Sequence, residues 1–422
     1  MAFGVLRQTA IYLEGVAGRR PKIPVDHDAL EDRARGAMSR EAFAYIAGGA
    51  GGEATVRANR ADWDAWRIVP RMLRDVSRRD TSVALFGHTL PSPFLLAPVG
   101  VLEMAHRGAD LAVARAARGE GTPMVLSNQA STPMEAVAAG LGDTPRFFQL
   151  YWSTRDELVE SFVARAEAAG ASAIFVTLDT TLLGWRTRDL DVAYLPFLRG
   201  KGIAQYTSDP VFNRLAADAA SAEPAPQPKP SLQAISTLIQ MARNHPLPFL
   251  DALRSGQARA AVQRFVQIYS RPSLTWDDLP FLRERTKLPI VLKGILHPDD
   301  ARRAVDAGMD GIVVSNHGGR QVDGAISTIA ALPAVAGAVD GRIPVLLDGG
   351  VRGGSDVFKA LALGARAVMI GRPYAYGLAI AGEDGVREVL RNLAADFDLT
   401  MGLSGCRAVG EIGPEALVPA PR

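Results

Sequence analysis

The sequence predicts an α/β fold: a closed TIM (β/α)8 barrel with an N-terminal helical cover and a long lid loop after strand four. Three observations carry this. Eight short apolar runs, each bounded by turn residues, recur between Phe94 and Arg372. Segments with helical apolar spacing separate most of them. Groups able to do chemistry gather where the runs end.

The first four runs are PFLLAP (93–98), PMVLS (123–127), RFFQLY (146–151) and AIFVTLD (173–179). PIVLKG (289–294), GIVVSN (311–316), IPVLLDGG (343–350) and AVMIG (367–371) complete the set. Such runs suit strands buried on both faces of a parallel sheet. Between them DLAVARAARGEG, ELVESFVARAEAAG, PDDARRAVDAG and GGSDVFKALALG each end in glycine, a frequent helix stop, with acidic residues early where the helix dipole favours them. An open doubly wound sheet is the alternative, weakened because no GxGxxG follows an early strand.

Residues 1–92 are read as the helical cover with a short hairpin segment, Met38 to Gly49 being a helix that closes on a Gly-Gly stop. Residues 93–422 are read as the barrel, interrupted by a lid insertion at about 180–275. That interval holds the Pro-rich stretch ASAEPAPQPKPS (220–231), read as a mobile crossing, and ends where a helix starts near Thr275.

The 422 residues can bury a sizeable core, and 48% hydrophobic with 22% charged residues is ordinary globular composition. A net charge of +2 with no strongly basic half argues against a nucleic-acid partner. One cysteine, Cys406, allows neither an internal disulfide nor a cysteine metal cage, in keeping with a cytoplasmic location. The N-terminus lacks a secretory pattern, and no apolar stretch is long enough for an integral membrane segment.

Barrel active sites lie at the C-terminal ends of the strands. The residues expected there are Pro98-Val99-Gly100, Ser127, Gln149 with Tyr151, Thr177 with Asp179, Lys293, Ser315-Asn316-His317, Asp348-Gly349-Gly350 and Gly371-Arg372. The last two ends suggest a phosphate cradle: DGGVRGG (348–354) is a Gly-rich turn into a helix, and Arg352 and Arg372 add charge.

In SNHGGR (315–320), His317 follows an apolar strand and is flanked by glycines that let a ligand approach the backbone. An imidazole near neutrality is a natural proton acceptor, and Asp179 is the candidate to orient it. Metal binding by His317 with Asp179 is the rival reading. Arg186 and Arg320 are the pair expected to fork a substrate carboxylate, whereas Arg188 fits a surface salt bridge with Asp189 or Asp191. Lys293 is read either as a Schiff-base lysine or as a cation stabilising an anionic ring.

These residues sit in motifs that resemble the FMN-dependent 2-hydroxy-acid oxidases and dehydrogenases. AYIAGGAG (44–51), LAPVG (96–100), FFQLY (147–151), TLDT (177–180), VLKGI (291–295), SNHGGRQ (315–321), DGGVRGGSDVFKALALGA (348–365) and IGRPYAYG (370–377) carry the resemblance. GWRTRDL (184–190), LPFLRG (195–200), TSDPVF (207–212) and Gly100 are most similar to the lactate 2-monooxygenase branch.

The resemblance implies that Pro98, Val99 and Gly100 line the flavin, and that Ser127, Gln149 and Thr177 hydrogen-bond its ring. Lys293 would stabilise the negative charge of reduced flavin. Asp348, Gly349, Gly350, Arg352, Gly371 and Arg372 would hold the rest of FMN, with Ser315 also counted as cofactor-binding. Tyr45, Tyr151, Arg186, His317 and Arg320 would hold substrate beside Gly100, and Tyr45, Tyr151, His317 and Asp179 are counted as catalytic.

Two routes are implied: His317 takes the hydroxyl proton while the C2 hydrogen leaves as hydride, or His317 takes the C2 proton. The partners implied are a small L-2-hydroxy acid, O2 and further copies of the chain as a tetramer or octamer. An oxidase releasing oxoacid and H2O2, a quinone-coupled dehydrogenase and a flavin-binding protein without turnover stand as alternatives. Gln129 and Thr181 depart from the family pattern, where Trp or another apolar residue and Pro or Trp are usual, which leaves room for a larger or more polar acid.

Overall fold

The computed structural model describes residues 3–220 and 231–421. Eight parallel strands close a barrel: β1 Phe94–Leu96, β2 Met124–Leu126, β3 Arg146–Leu150, β4 Ile174–Thr177, β5 Ile290–Ile295, β6 Gly311–Val314, β7 Val345–Leu347 and β8 Ala367–Ile370. Each apolar run supplies one strand. Closure is direct, since β8 pairs with β1 in the register Val368 to Phe94, Met369 to Leu95 and Ile370 to Leu96. An open doubly wound sheet would leave two free edges, so that alternative is set aside.

The runs are continuous in hydrophobicity because both faces of each strand are covered. Leu95, Val125, Phe147, Phe175, Val291 and Met369 fill the barrel interior. Their neighbours Leu96, Leu126, Phe148, Val176, Leu292 and Ile370 belong to the cluster that includes the surrounding helices. A hairpin of Val83–Leu85 and His88–Leu90 brings Phe86 edge-on to Phe147 at 5.8 Å and Phe175 at 6.1 Å. This aromatic plug leaves the opposite mouth for ligands.

The N-terminal residues form helices Phe3–Val16, His27–Ala37, Arg40–Ala47 and Ala54–Ala61. Ser39 caps the third by accepting from the Ala42 N–H at 3.2 Å, and Gly48 ends it. Two polar clasps bind this cover to the loop after β6. Asp323 accepts from Gly52 N–H at 2.7 Å and Ala54 N–H at 2.6 Å. Asn59 and Asn316, both buried, donate to each other's carbonyl at 2.7 and 2.8 Å.

The insertion expected after strand four is present, and it is largely helical. It contains Thr187–Asp191, Ala204–Thr207, Pro210–Ala220, Leu232–Asn244, Phe249–Ser255 and Gln257–Ile268. Helical spacing decides the matter in Gln257–Ile268, where Ala258, Ala261, Val262, Phe265 and Ile268 share one buried face. The expected mobile crossing at 220–231 falls almost wholly on residues 221–230, outside the described residues. Thr275 then caps a short 3-10 turn, Trp276–Asp278, leading into Leu279–Arg283. Among the described residues, no helix is long and apolar enough to cross a membrane.

Candidate active site

A cavity of about 520 Å³ opens at the C-terminal ends of the strands. Pro98, Val99, Gly100, Ser127 and Gln149 border it from the first three strand ends, while Lys293, Asp348 and Gly371 border it from later ones. Thr177, Asp179 and Ser315 stand behind this wall rather than on it. Thr177 accepts from Gln149 Nε2 at 3.0 Å, and the Gln149 carbonyl accepts from Ser127 Oγ at 3.1 Å. The Ser127–Gln149–Thr177 series is therefore a buried rail that fixes one presented amide.

At one end the cavity is built for an anion. Arg352 and Arg372 border it, and neither forms an ion pair among the described residues. Arg372 donates to the carbonyls of Gly318 and Gly48, each at 2.9 Å. Burial first, and then neighbouring charges including Arg372, push Arg352 down to about 10. The N-terminus of helix Arg372–Leu403 lies here without a side-chain cap.

The expected second helix N-terminus is not available in that form. Asp356 accepts from Arg352 and Gly353 N–H, and Asp396 from Gly354 N–H, so these donors of helix Gly354–Ala362 are already engaged. Gly349 and Gly350 turn with φ of 92° and 86°; a Cβ on Gly350 would fall 1.6 Å from the Asn59 carbonyl oxygen.

Between the two ends runs a charge relay of fixed positions. Lys293 Nζ lies 3.2 Å from Asp348, 3.7 Å from Asp179 and 2.8 Å from Ser315 Oγ. Burial opposes its charge, but the two carboxylates outweigh burial and raise its pKa. A lysine held cationic is a poor imine-forming nucleophile, which removes the Schiff-base reading. The other Asp348 oxygen, Oδ1, is buried with no hydrogen-bond partner among the described residues.

Asp179 Oδ1 is 2.7 Å from His317 Nδ1, and Thr180 Oγ1 is 3.1 Å from the same nitrogen. Burial would raise the Asp179 pKa, yet Lys293 and His317 together bring it down, so it stays ionised. Burial lowers that of His317, with Asp179 opposing. With Nδ1 engaged, Nε2 is the nitrogen left to act on a ligand in the cavity that His317 lines. His317 has φ 55°, a left-handed conformation uncommon outside glycine, continued by Gly318 and Gly319.

The substrate end gathers Tyr45, Tyr151, Arg186 and Arg320. Arg186 donates to the Arg320 carbonyl at 3.3 Å and to Gln321 Oε1 at 3.0 Å. Arg320 lies over the Tyr45 ring at 5.1 Å and donates to the Gly48 carbonyl at 2.8 Å. Burial, then the charge of Arg186, pushes Arg320 down to about 9. Burial pushes Tyr151 up to about 12, with Asp179 adding to it, so the phenol remains a donor. Arg188 does form an ion pair, but with Glu53 at 2.5 Å instead of Asp189 or Asp191, because the cover helices bring Glu53 alongside.

Two contributors escaped the sequence reading. Asn59 braces the His317 loop through Asn316. His27 stands against the Arg352 guanidinium, and burial followed by the charge of Arg352 lowers its pKa to about 2, so it accepts as a neutral ring. No local motif marks either residue; their partners lie hundreds of positions away. Replacing His27 with alanine is expected to weaken FMN retention about tenfold, read as a fluorescence-titrated Kd, while thermal unfolding of the apoprotein shifts little. Unchanged affinity would remove His27 from the anion grip.

The donor set fits FMN. Two half-buried guanidiniums without an ion pair among the described residues suit its phosphate, the orphaned Asp348 oxygen suits the ribityl hydroxyls, and Lys293 suits an electron-rich ring edge. The comparisons with known proteins agree. The profile of the FMN-dependent dehydrogenase family matches residues 34–419. An L-lactate oxidase of Lysinibacillus sphaericus (strain C3-41) is 40% identical over 399 residues, 94% of each chain. An FMN-dependent alpha-hydroxy acid dehydrogenase of Penicillium citrinum is 41% identical over 411 residues, 97% of this chain and 94% of that one. The crystal structure of mandelate oxidase with (S)-4-hydroxymandelic acid superposes with a TM-score of 0.76 at 37% identity, covering 94% of this chain and 99% of that one. This chain belongs to the FMN-dependent dehydrogenase family and is an FMN-dependent oxidoreductase of 2-hydroxy acids.

Proposed function

We propose that the chain oxidises a small L-2-hydroxy acid with dioxygen and keeps the oxoacid long enough to decarboxylate it, as a lactate 2-monooxygenase does. Lactate and O2 would give acetate, CO2 and water. One observation carries the hydroxy-acid chemistry: the buried Arg186 and the half-buried Arg320, neither in a direct ion pair among the described residues although Asp189 lies within electrostatic reach of both, share a cavity with an aspartate-paired imidazole.

Pro98, Val99, Gly100, Ser127 and Gln149 would hold the FMN ring, and Asp348, Gly349, Gly350, Arg352, Gly371 and Arg372 its tail. Bound there, FMN supplies the two-electron acceptor that amino-acid side chains lack. Arg186 and Arg320 fix the substrate carboxylate, so that the hydroxyl-bearing carbon is presented in one orientation. Tyr45 and Tyr151 bracket the acid as neutral phenols. His317 takes the substrate proton at Nε2, and Asp179 holds the imidazolium that results.

Retention is supported by the wall above this end. Leu182, Leu195, Phe197, Phe265 and Tyr269, all from the insertion, line the cavity and limit escape of the oxoacid. Turnover with lactate in air, with acetate, pyruvate and peroxide measured together, tests the reading. Acetate matching O2 uptake supports it; pyruvate with stoichiometric peroxide replaces it with the oxidase.

His317 must be neutral to accept a proton, and burial lowers its pKa. The acid limb of kcat/KM is therefore expected below the ordinary histidine value of about 6.5, with activity lost as pH falls through it. A pH profile in which His317→Gln abolishes the limb would assign it; a limb above pH 7 in the wild type would contradict it.

A further inference from the structure

We infer that Gln129 selects 2-hydroxy acids whose side chain carries a hydrogen-bonding group, an inference that rests on the hydroxy-acid reading above. Gln129 lines the cavity with 8% of its surface exposed. Its backbone is fully used: the N–H donates to Ser127 Oγ at 3.1 Å and the carbonyl accepts from Val101 N–H at 2.9 Å. Its side-chain amide, by contrast, has no hydrogen-bond partner among the described residues. The amide is open to the cavity and offers two donors and an acceptor there, so an acid that displaces water from the cavity must pair with them or leave them unpaired at a cost.

The position of this amide places it at the substrate end. A Cβ built on Gly100 would lie 3.1 Å from Gln129 Cβ, and one built on Gly202 would lie 3.1 Å from the Gln129 carbonyl and 3.2 Å from Phe197. Phe197 in turn meets Tyr45 edge-on at 6.3 Å, and Tyr45 carries Arg320 over its ring. Gln129, Phe197 and Tyr45 thus follow one another along the wall that leads to the carboxylate fork. An acid anchored at that fork directs its side chain along this wall.

The consequence is a preference by contrast. The methyl of lactate leaves the amide without a partner, whereas a side-chain hydroxyl can both accept from and donate to it. A site with a buried hydrogen-bonding group discriminates strongly against the analogue that lacks the matching one.

The test uses the FMN-loaded full chain and two matched pairs of L-acids. The first is 2,3-dihydroxypropanoate against 2-hydroxybutanoate; the second is 3-(4-hydroxyphenyl)lactate against 3-phenyllactate. A tenfold or greater preference in kcat/KM for the hydroxylated member of at least one pair is expected, as is its collapse to less than threefold in Gln129→Leu. A smaller preference in both pairs, or one that survives the substitution, overturns the inference. The wild-type ratio decides alone if the variant does not fold. Should none of the four acids, nor lactate, bleach the flavin anaerobically, it is the hydroxy-acid reading itself that has failed.

Discussion

Replacing His317 with alanine is expected to slow anaerobic flavin reduction by substrate about a thousandfold, within the range that a positioned general base contributes. The geometry explains why no neighbour can substitute. Asp179 is committed to His317 and Lys293, Lys293 is held as a cation, and burial keeps the Tyr151 phenol protonated up to about 12. Among these described groups, His317 Nε2 is thus the basic position that combines neutrality with access to the cavity. FMN should stay bound, because the cradle at Asp348, Arg352 and Arg372 does not depend on the imidazole. Asp179→Asn should give a smaller loss, since the ring would keep a hydrogen-bonded neighbour while losing the charge that steadies imidazolium. Stopped-flow mixing under argon measures both; a His317→Ala rate within tenfold of wild type would reject the assignment of the base.

The second large effect is expected at Arg320. Exchange for methionine removes a two-pronged donor from a buried carboxylate site, where charge-assisted bonds contribute about 1.5–3 kcal/mol each. Two such bonds correspond to a fall in kcat/KM of roughly 10²–10⁴-fold at about 1.36 kcal/mol per tenfold. The loss should fall mainly on KM for the acid, because the imidazole and the ring site remain. Lysine should recover only part of it, lacking the planar fork. Arg320 also donates to the carbonyls of Tyr45 and Gly48, so the variant's FMN spectrum and thermal unfolding should be recorded beside the kinetics. A KM unchanged in Arg320→Met and in Arg186→Met would mean that the carboxylate is bound elsewhere.

The barrel was legible because its strands are covered on both faces, which writes each as an uninterrupted apolar run. The residues at the strand ends were legible for a related reason: a polar group just past such a run has one place to go. What escaped depends on partners distant in sequence. DGGVRGG reads as a turn full of free N–H donors, yet Asp356 and Asp396 take up several of them, the second from 42 residues away. The place of the insertion is legible, but its helices are not, because its prolines are conspicuous and its amphipathic stretches are short. Arg188 was paired with its nearest acidic neighbours in sequence, although Glu53 is nearer in space. Asn59 and His27 carry no local mark at all.

The clasps between the N-terminal helices and the loop after β6 set an order of events during synthesis. Asn59 leaves the ribosome some 257 positions before Asn316, and Ala54 about 269 before Asp323. Until those late residues emerge, the early segment can meet the insertion through Arg188 with Glu53 and Phe197 with Tyr45, but its two polar clasps have no partners. Contacts of such long sequence separation form slowly. The imidazole therefore acquires its working posture among the last steps of maturation, and a nascent chain stalled before the sixth strand would be inert.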